Sequence, residues 1–110
     1  MVGTALLRTD ESGASQLHKD ALADSVRTRT VLTRAFTGRP ARGLLNGFIE
    51  RNDAFAPNGY PALHHLTRPL RVAAAKAGDA ERVNLWAGTG YRQARTGPVA
   101  DVIADLTALL

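Results

Sequence analysis

A chain of 110 residues can close one hydrophobic core, and that limit does most to decide what this one folds into. A complete (β/α)8 barrel needs about 250 residues, so the chain cannot form one by itself. With 45% hydrophobic and 22% charged residues it has the apolar content for a core, which argues against both a disordered tail and a membrane span. The absence of cysteine closes disulfide, thiolate-metal and iron–sulfur chemistry and is compatible with the cytoplasm.

Fourteen Lys and Arg stand against ten Asp and Glu, for a net charge of +4, and all the cations but Lys19 and Lys76 are Arg. A basic balance raises the question of nucleic acid. The cations are spread from Arg8 through Arg51 to Arg95 without a run, and few aromatic side chains are available to stack on bases, so the pattern argues for a solvated surface. The first residues carry neither a charged leader nor a long apolar stretch, so no targeting segment is expected.

The spacing of apolar residues predicts a mostly helical chain with little strand. Met1 and Val2 read as the tail of a buried strand, Gly3 and Thr4 as a turn, and residues 5–7 as the start of a helical turn. Ser15 is placed to cap a helix running to about Val26, with Leu17, Ala21, Leu22 and Val26 on one face. Residues 30–36 are rich in β-branched and aromatic side chains and predict a short strand, closed by a turn at 37–40. Leu44, Leu45, Phe48 and Ile49 share a helical face, although Asn46-Gly47 is also a hairpin dipeptide. Residues 52–61 predict a loop. Leu63, Leu66, Leu70, Ala73, Ala74 and Ala77 predict a helix stopped by Gly78. Pro69 inside it predicts either a kink or a second helix capped by Thr67. Finally, Pro98 opens a helix with Val99, Val102, Ile103, Leu106, Leu109 and Leu110 on one stripe and Asp101 and Asp105 turned away.

Histidine is the side chain most often found moving protons or holding metals, and the chain has three. His64 and His65 are adjacent and point about 100° apart on a helix, so they cannot share a metal as residues four apart do. His18 has no carboxylate at a metal-binding spacing, and surface or packing roles suit all three. Val2-Gly3-Thr4 is more suggestive. A strand ending in Gly, then a small hydroxyl residue at a helix start, is how backbone amides are aimed at a phosphate, although a Gly–Thr pair is more often only a turn.

Longer blocks give that pair a context. Gly3-Thr4-Ala5-Leu6-Leu7-Arg8-Thr9-Asp10-Glu11-Ser12-Gly13-Ala14 with Lys19 comes first. Thr30-Val31-Leu32-Thr33-Arg34-Ala35-Phe36-Thr37-Gly38-Arg39-Pro40-Ala41-Arg42-Gly43, Tyr60-Pro61, Leu66-Thr67-Arg68-Pro69-Leu70 and Leu85-Trp86-Ala87-Gly88 follow in order. Together these resemble the C-terminal region of the nitronate monooxygenase family, formerly the 2-nitropropane dioxygenases, over nearly the whole chain. The resemblance implies an α/β chain that is the C-terminal fragment of an FMN-binding (β/α)8 barrel plus part of a small substrate-side domain, mostly helical here. It implies a flavoprotein oxidising alkyl nitronates with O2, without a metal, in the cytoplasm, with a small-molecule nitronate as partner and neither nucleic acid nor membrane.

In such proteins the FMN phosphate is bound by the loop after the last strand and by the helix that follows. Met1, Val2, Gly3 and Thr4 are then the cofactor-binding residues. The family often has Gln where this chain has Met1, and commonly Gln where it has Thr89. Residues 85–88 resemble a segment that returns toward the flavin, and Trp86 has a packing role as its plain alternative. Seven strands, most of the FMN pocket and the family's catalytic histidine are expected upstream of Met1, so no catalytic residue is assigned here and the fragment is expected to be inactive by itself. Residues 1–26 are expected to carry the end of the last strand, the phosphate loop and its helix. Residues 27–83 are expected to belong to the small domain, and residues 84–110 to form the return loop and closing helix. Two alternatives stand beside this reading: a fragment of the related enoyl-acyl-carrier-protein or NADH:quinone reductases, and a free-standing basic helical module that binds a protein or RNA.

Overall fold

The computed structural model describes residues 2–108. They form a mixed α/β structure dominated by helix: α1 (Gly3–Leu6), α2 (Gln16–Ala23), β1 (Thr30–Thr33), β2 (Ala41–Leu44), α3 (Gly47–Asn52), α4 (Ala62–Ala77) and α5 (Val99–Thr107). Single 3-10 turns lie at Asp53–Phe55 and Tyr91–Gln93.

The frame is the pairing around β2. On one side β1 runs antiparallel to it, with Thr30 opposite Leu44 and Thr33 opposite Ala41. On the other side the Leu44 N–H donates to the Leu85 carbonyl (2.9 Å) and the Ala87 N–H to the Arg42 carbonyl (3.1 Å), so residues 85–87 lie along the second edge. Gly43 pairs with Trp86 there, and a Cβ on Gly43 would stand 2.9 Å from the Leu85 carbonyl oxygen. Leu44, with no exposed surface, packs among Ala21, Leu22, Leu85, Ala87 and Tyr91. Phe36, stacked on Phe48 with ring centroids 4.7 Å apart and edge-on to Trp86 at 5.9 Å, fills the space beyond.

Several expectations hold in detail. Ser15 caps α2, its hydroxyl accepting from the His18 N–H at 3.1 Å. Gly78 takes the left-handed conformation (φ 71°) that ends α4, which a residue without Cβ adopts at least cost. Pro98 precedes α5 as its N-cap.

Others are corrected. Val2 has helical dihedrals, not extended ones, and is 53% exposed. No strand among the described residues lies beside it, and α1 begins at the next residue. Met1 lies outside the described residues. Helix α2 stops at Ala23 because Asp24 turns extended, which leaves Val26 exposed. The strand expected over residues 30–36 ends at Thr33, where the Thr33 hydroxyl turns to Asp53 (2.6 Å) and Asp53 also accepts from the Arg34 N–H.

Leu44 belongs to β2 and not to a helix. Asn46-Gly47 is neither hairpin nor mid-helix: Asn46 is the N-cap of α3, its side chain accepting from the Ile49 N–H (3.2 Å). Helix α4 runs through Pro69 unbroken, and Thr67 caps nothing, because its hydroxyl donates to the Phe36 carbonyl. Only part of the expected apolar stripes is covered: Ala74 is buried on α4 and Val102 on α5, while Leu66, Leu70, Ile103 and Leu106 are exposed. Leu109 and Leu110 lie outside the described residues.

Candidate functional site

The start of α1 meets the segment after β2's second edge. The Gly88 N–H donates to the Thr4 Oγ1 at 2.9 Å, joining residues 84 positions apart. A Cβ on Gly88 would stand 3.4 Å from that oxygen, about van der Waals contact. Around the bond lies a cavity of about 340 Å³ lined by Val2, Thr4, Gly88, Thr89, Gly90 and Gln93, among others. None of its lining residues carries an ionisable side chain. Gly3 lines a separate hollow of about 190 Å³ with Leu7, Thr9 and Val99, and a Cβ there would meet nothing within 4 Å.

Both walls are fixed by contacts from elsewhere. The Arg8 guanidinium donates to the Ala94 carbonyl (2.8 Å), the Val99 N–H donates to the Glu11 carboxylate (2.9 Å), and Lys19 donates to the Thr9 carbonyl (2.9 Å). The far wall turns tightly, the Tyr91 N–H donating to the Gly88 carbonyl and the Gln93 N–H to the Gly90 carbonyl. Tyr91 is buried, and its hydroxyl donates to the Arg27 carbonyl.

The cavity's chemistry is that of neutral donors. The first N–H groups of a helix have no acceptor within it, and Val2 supplies no side-chain cap. The Thr4 N–H therefore remains available at the cavity and that of Gly3 at the neighbouring hollow, and Thr4, accepting through Oγ1, keeps its hydroxyl proton to donate.

The histidines lie elsewhere. His18 is half-buried and its Nε2–H donates to the Trp86 carbonyl at 3.0 Å, which ties α2 to the edge of β2. Burial holds it below its ordinary range. His64 Nδ1 accepts from Arg71 (3.1 Å), which also donates to the His64 carbonyl (2.8 Å). Partial burial and the Arg71 charge hold His64 low as well. His65 is exposed. Among the described residues no three His, Cys, Asp or Glu side chains could hold a metal, and no helix is long and apolar enough to cross a membrane.

Of the residues singled out from sequence, the structure brings Val2, Thr4 and Gly88 to one cavity, with Gly3 at the neighbouring hollow and Met1 outside the described residues. Gly90 and Gln93 were not anticipated. The Gly-Thr-Gly run at 88–90 was the available signal, since paired glycines in a turn permit close approach to backbone.

Comparison with known proteins gives three concordant matches. A family model described as nitronate monooxygenase matches residues 1–108. Proteins described as probable nitronate monooxygenases from Staphylococcus aureus strains Newman and USA300 are 39% identical over 107 residues, covering 96% of this chain and 30% of their own. A crystal structure of a nitroalkane oxidase from Streptomyces ansochromogenes superposes with a TM-score of 0.94 at 57% identity, over 96% of this chain and 30% of that one. The chain thus spans about a third of the length of these relatives.

Proposed function

The chain belongs to the nitronate monooxygenase family, and on that premise we propose that it carries the phosphate end of the flavin site in an enzyme that oxidises alkyl nitronates with O2. The flavin on this reading is FMN, and its contacts in this chain are Met1, Val2, Gly3 and Thr4. The relatives' names, nitronate monooxygenase and nitroalkane oxidase, favour this chemistry over enoyl-thioester or quinone reduction and over a basic binding module.

The observation that carries the reading is the Thr4–Gly88 hydrogen bond, which closes two glycine-containing segments around an uncharged cavity. The donor set fits a phosphate monoester. Its oxygens only accept, and the groups offered are the backbone N–H groups at the start of α1 and the Thr4 hydroxyl. The flavin, when bound, supplies the redox chemistry toward the nitronate and oxygen. This chain's own residues bind and orient: Thr4 positions the return segment by accepting from the Gly88 N–H and offers its hydroxyl as a donor, and Val2 and Leu106 give the cavity an apolar wall. None of His18, His64 and His65 lines it, so they are packing and surface groups on this reading.

The same reading divides the chain into residues 1–26 with the phosphate loop, residues 27–83 as part of a small substrate-side domain, and residues 84–110 as the return loop and closing helix. The enzyme's partners are a small nitronate and O2, in the cytoplasm.

The test is a fluorescence titration with FMN of the homologous nitroalkane oxidase carrying this chain in place of its matching segment, and of the same protein with Thr4→Val, which keeps the side-chain shape and removes the hydroxyl. The wild type should bind, and Thr4→Val should bind about tenfold more weakly, the usual worth of a hydrogen bond to a charged group. Equal affinities would overturn the assignment of Thr4. A wild type that leaves FMN fluorescence unchanged would overturn the flavin reading.

A further inference from the structure

We propose that Asn58 is a site of covalent modification by water, losing its side-chain amide through attack by the Gly59 backbone nitrogen, and that the fold holds the chain's other Asn-Gly pair, Asn46-Gly47, from the same reaction. Neither Asn58 nor Gly59 lines the cavity at Thr4 and Gly88, so the inference stands apart from the flavin reading. In the reaction the Gly59 nitrogen bonds to the side-chain carbonyl carbon of Asn58 and gives up its proton, and ammonia leaves. Water then opens the five-membered succinimide at either carbonyl, to aspartate or isoaspartate, with no change of oxidation state. The step needs a carboxamide free to turn toward the next backbone nitrogen, and it is fastest where the following residue has no Cβ in the way.

The chain has asparagine at 46, 52, 58 and 84, and the structure engages all but one. Asn46 is buried, with its oxygen bonded to the Ile49 N–H and its nitrogen to the carbonyls of Ala80 and Val83. Asn52 donates to the Phe48 carbonyl at 2.9 Å, and Asn84 accepts from Arg71 at 3.3 Å. Asn58 is exposed, and among the described residues its carboxamide has no hydrogen-bond partner.

The two glycines differ in the same sense. The Gly47 N–H donates to the Glu81 carboxylate at 3.0 Å, which ties down the nitrogen that would attack. Among the described residues the Gly59 N–H has no acceptor, while the Gly59 carbonyl accepts from the Leu63 N–H at 2.9 Å. A Cβ on Gly59 would make only ordinary contacts, 3.7 Å from Pro57 Cγ and 3.9 Å from Leu63 Cβ, so the fold tolerates alanine there. The product disturbs its surroundings because this loop is pressed on Gly38, where a Cβ would stand 2.6 Å from the Tyr60 nitrogen and 2.9 Å from the Gly59 nitrogen. Isoaspartate lengthens the main chain by one carbon, and the segment can no longer follow that path.

The experiment ages the nitroalkane oxidase carrying this chain in place of its matching segment in mildly alkaline buffer, then weighs its tryptic fragments. Residues 43–51 and 52–71 fall in separate fragments with one Asn-Gly pair each. From folded protein, fragment 52–71 should gain the mass difference between an amide and an acid, placed at Asn58 by fragmentation, while fragment 43–51 stays unchanged. In denaturant both should convert at similar rates. Gly59→Ala should slow the conversion of Asn58 severalfold. Amide exchange at Gly38 should quicken in the aged wild type and not in aged Gly59→Ala. Conversion of Asn46 as fast as Asn58 in folded protein, or of neither, would overturn the proposal. An Asn46 that stays intact in denaturant would overturn the protective role of the fold, and undiminished conversion in Gly59→Ala would overturn attack by the residue 59 nitrogen. Unchanged exchange at Gly38 would overturn the effect on the loop's path.

Discussion

Asn46 shows how much one side chain can hold. It is buried, its Oδ1 accepts from the Ile49 N–H, and its Nδ2 donates to the carbonyls of Ala80 (3.0 Å) and Val83 (2.8 Å). Asn46→Ala removes a helix cap and leaves two carbonyls unpaired, so it should cost about 3 kcal/mol in a denaturant titration. Gly43 makes the complementary case, since any Cβ there meets the Leu85 carbonyl and the Trp86 ring. Gly43→Ala should destabilise by about 2 kcal/mol, by forcing residues 85–87 off the edge of β2. The cap bond to Ile49 is local, but the sequence by itself did not choose between a cap and a hairpin at Asn46. Its two carbonyl partners are more than thirty residues away, and only they explain why a hairpin dipeptide does not make a hairpin.

At the scale of elements, helices with a local signal were readable and pairings with a remote partner were not. The Ser15 cap and the Gly78 stop are written within a turn of the helix ends they define. Strand β2, by contrast, is Ala-Arg-Gly-Leu, with little intrinsic strand preference, and it is a strand because β1 and residues 85–87 flank it. The single helix through Pro69 had the same kind of hidden cause, since Thr67 is occupied by the Phe36 carbonyl of another segment.

The packing of α2 against that edge has a pH signature. His18 is held below its ordinary range by burial while its Nε2–H bonds to the Trp86 carbonyl. As pH falls through the ordinary histidine range the unfolded chain takes up this proton first, so its stabilising share is present above that range and is lost below it. The melting temperature should therefore drop more between about pH 7.5 and about pH 5.5 for the wild type than for His18→Gln. Parallel pH profiles would refute this.

For the molecule as a whole, the exposed apolar side chains matter most. Val26, Phe55 and Leu66 are 82, 85 and 76% exposed, and Leu70, Val72, Ile103 and Leu106 add to them. The chain by itself should bind a hydrophobic dye such as anilinonaphthalene sulfonate, and a Leu66→Lys/Leu70→Gln double variant should lower that signal without lowering the melting temperature. The candidate cavity was half readable from sequence: Thr4 and the approach of residues 85–88 came from matching blocks, whereas nothing in the sequence marked Gln93 as part of its lining.

The Thr4–Gly88, Arg8–Ala94 and Glu11–Val99 bonds span 84, 86 and 88 residues, which has a kinetic consequence. Contacts so distant along the chain require nearly the whole polymer to have searched out its path before they form, and such closures come late. In a refolding experiment, Trp86 fluorescence should therefore recover as β2 and its neighbours assemble, and hydrogen-exchange protection of the Gly88 and Val99 amides should lag behind it.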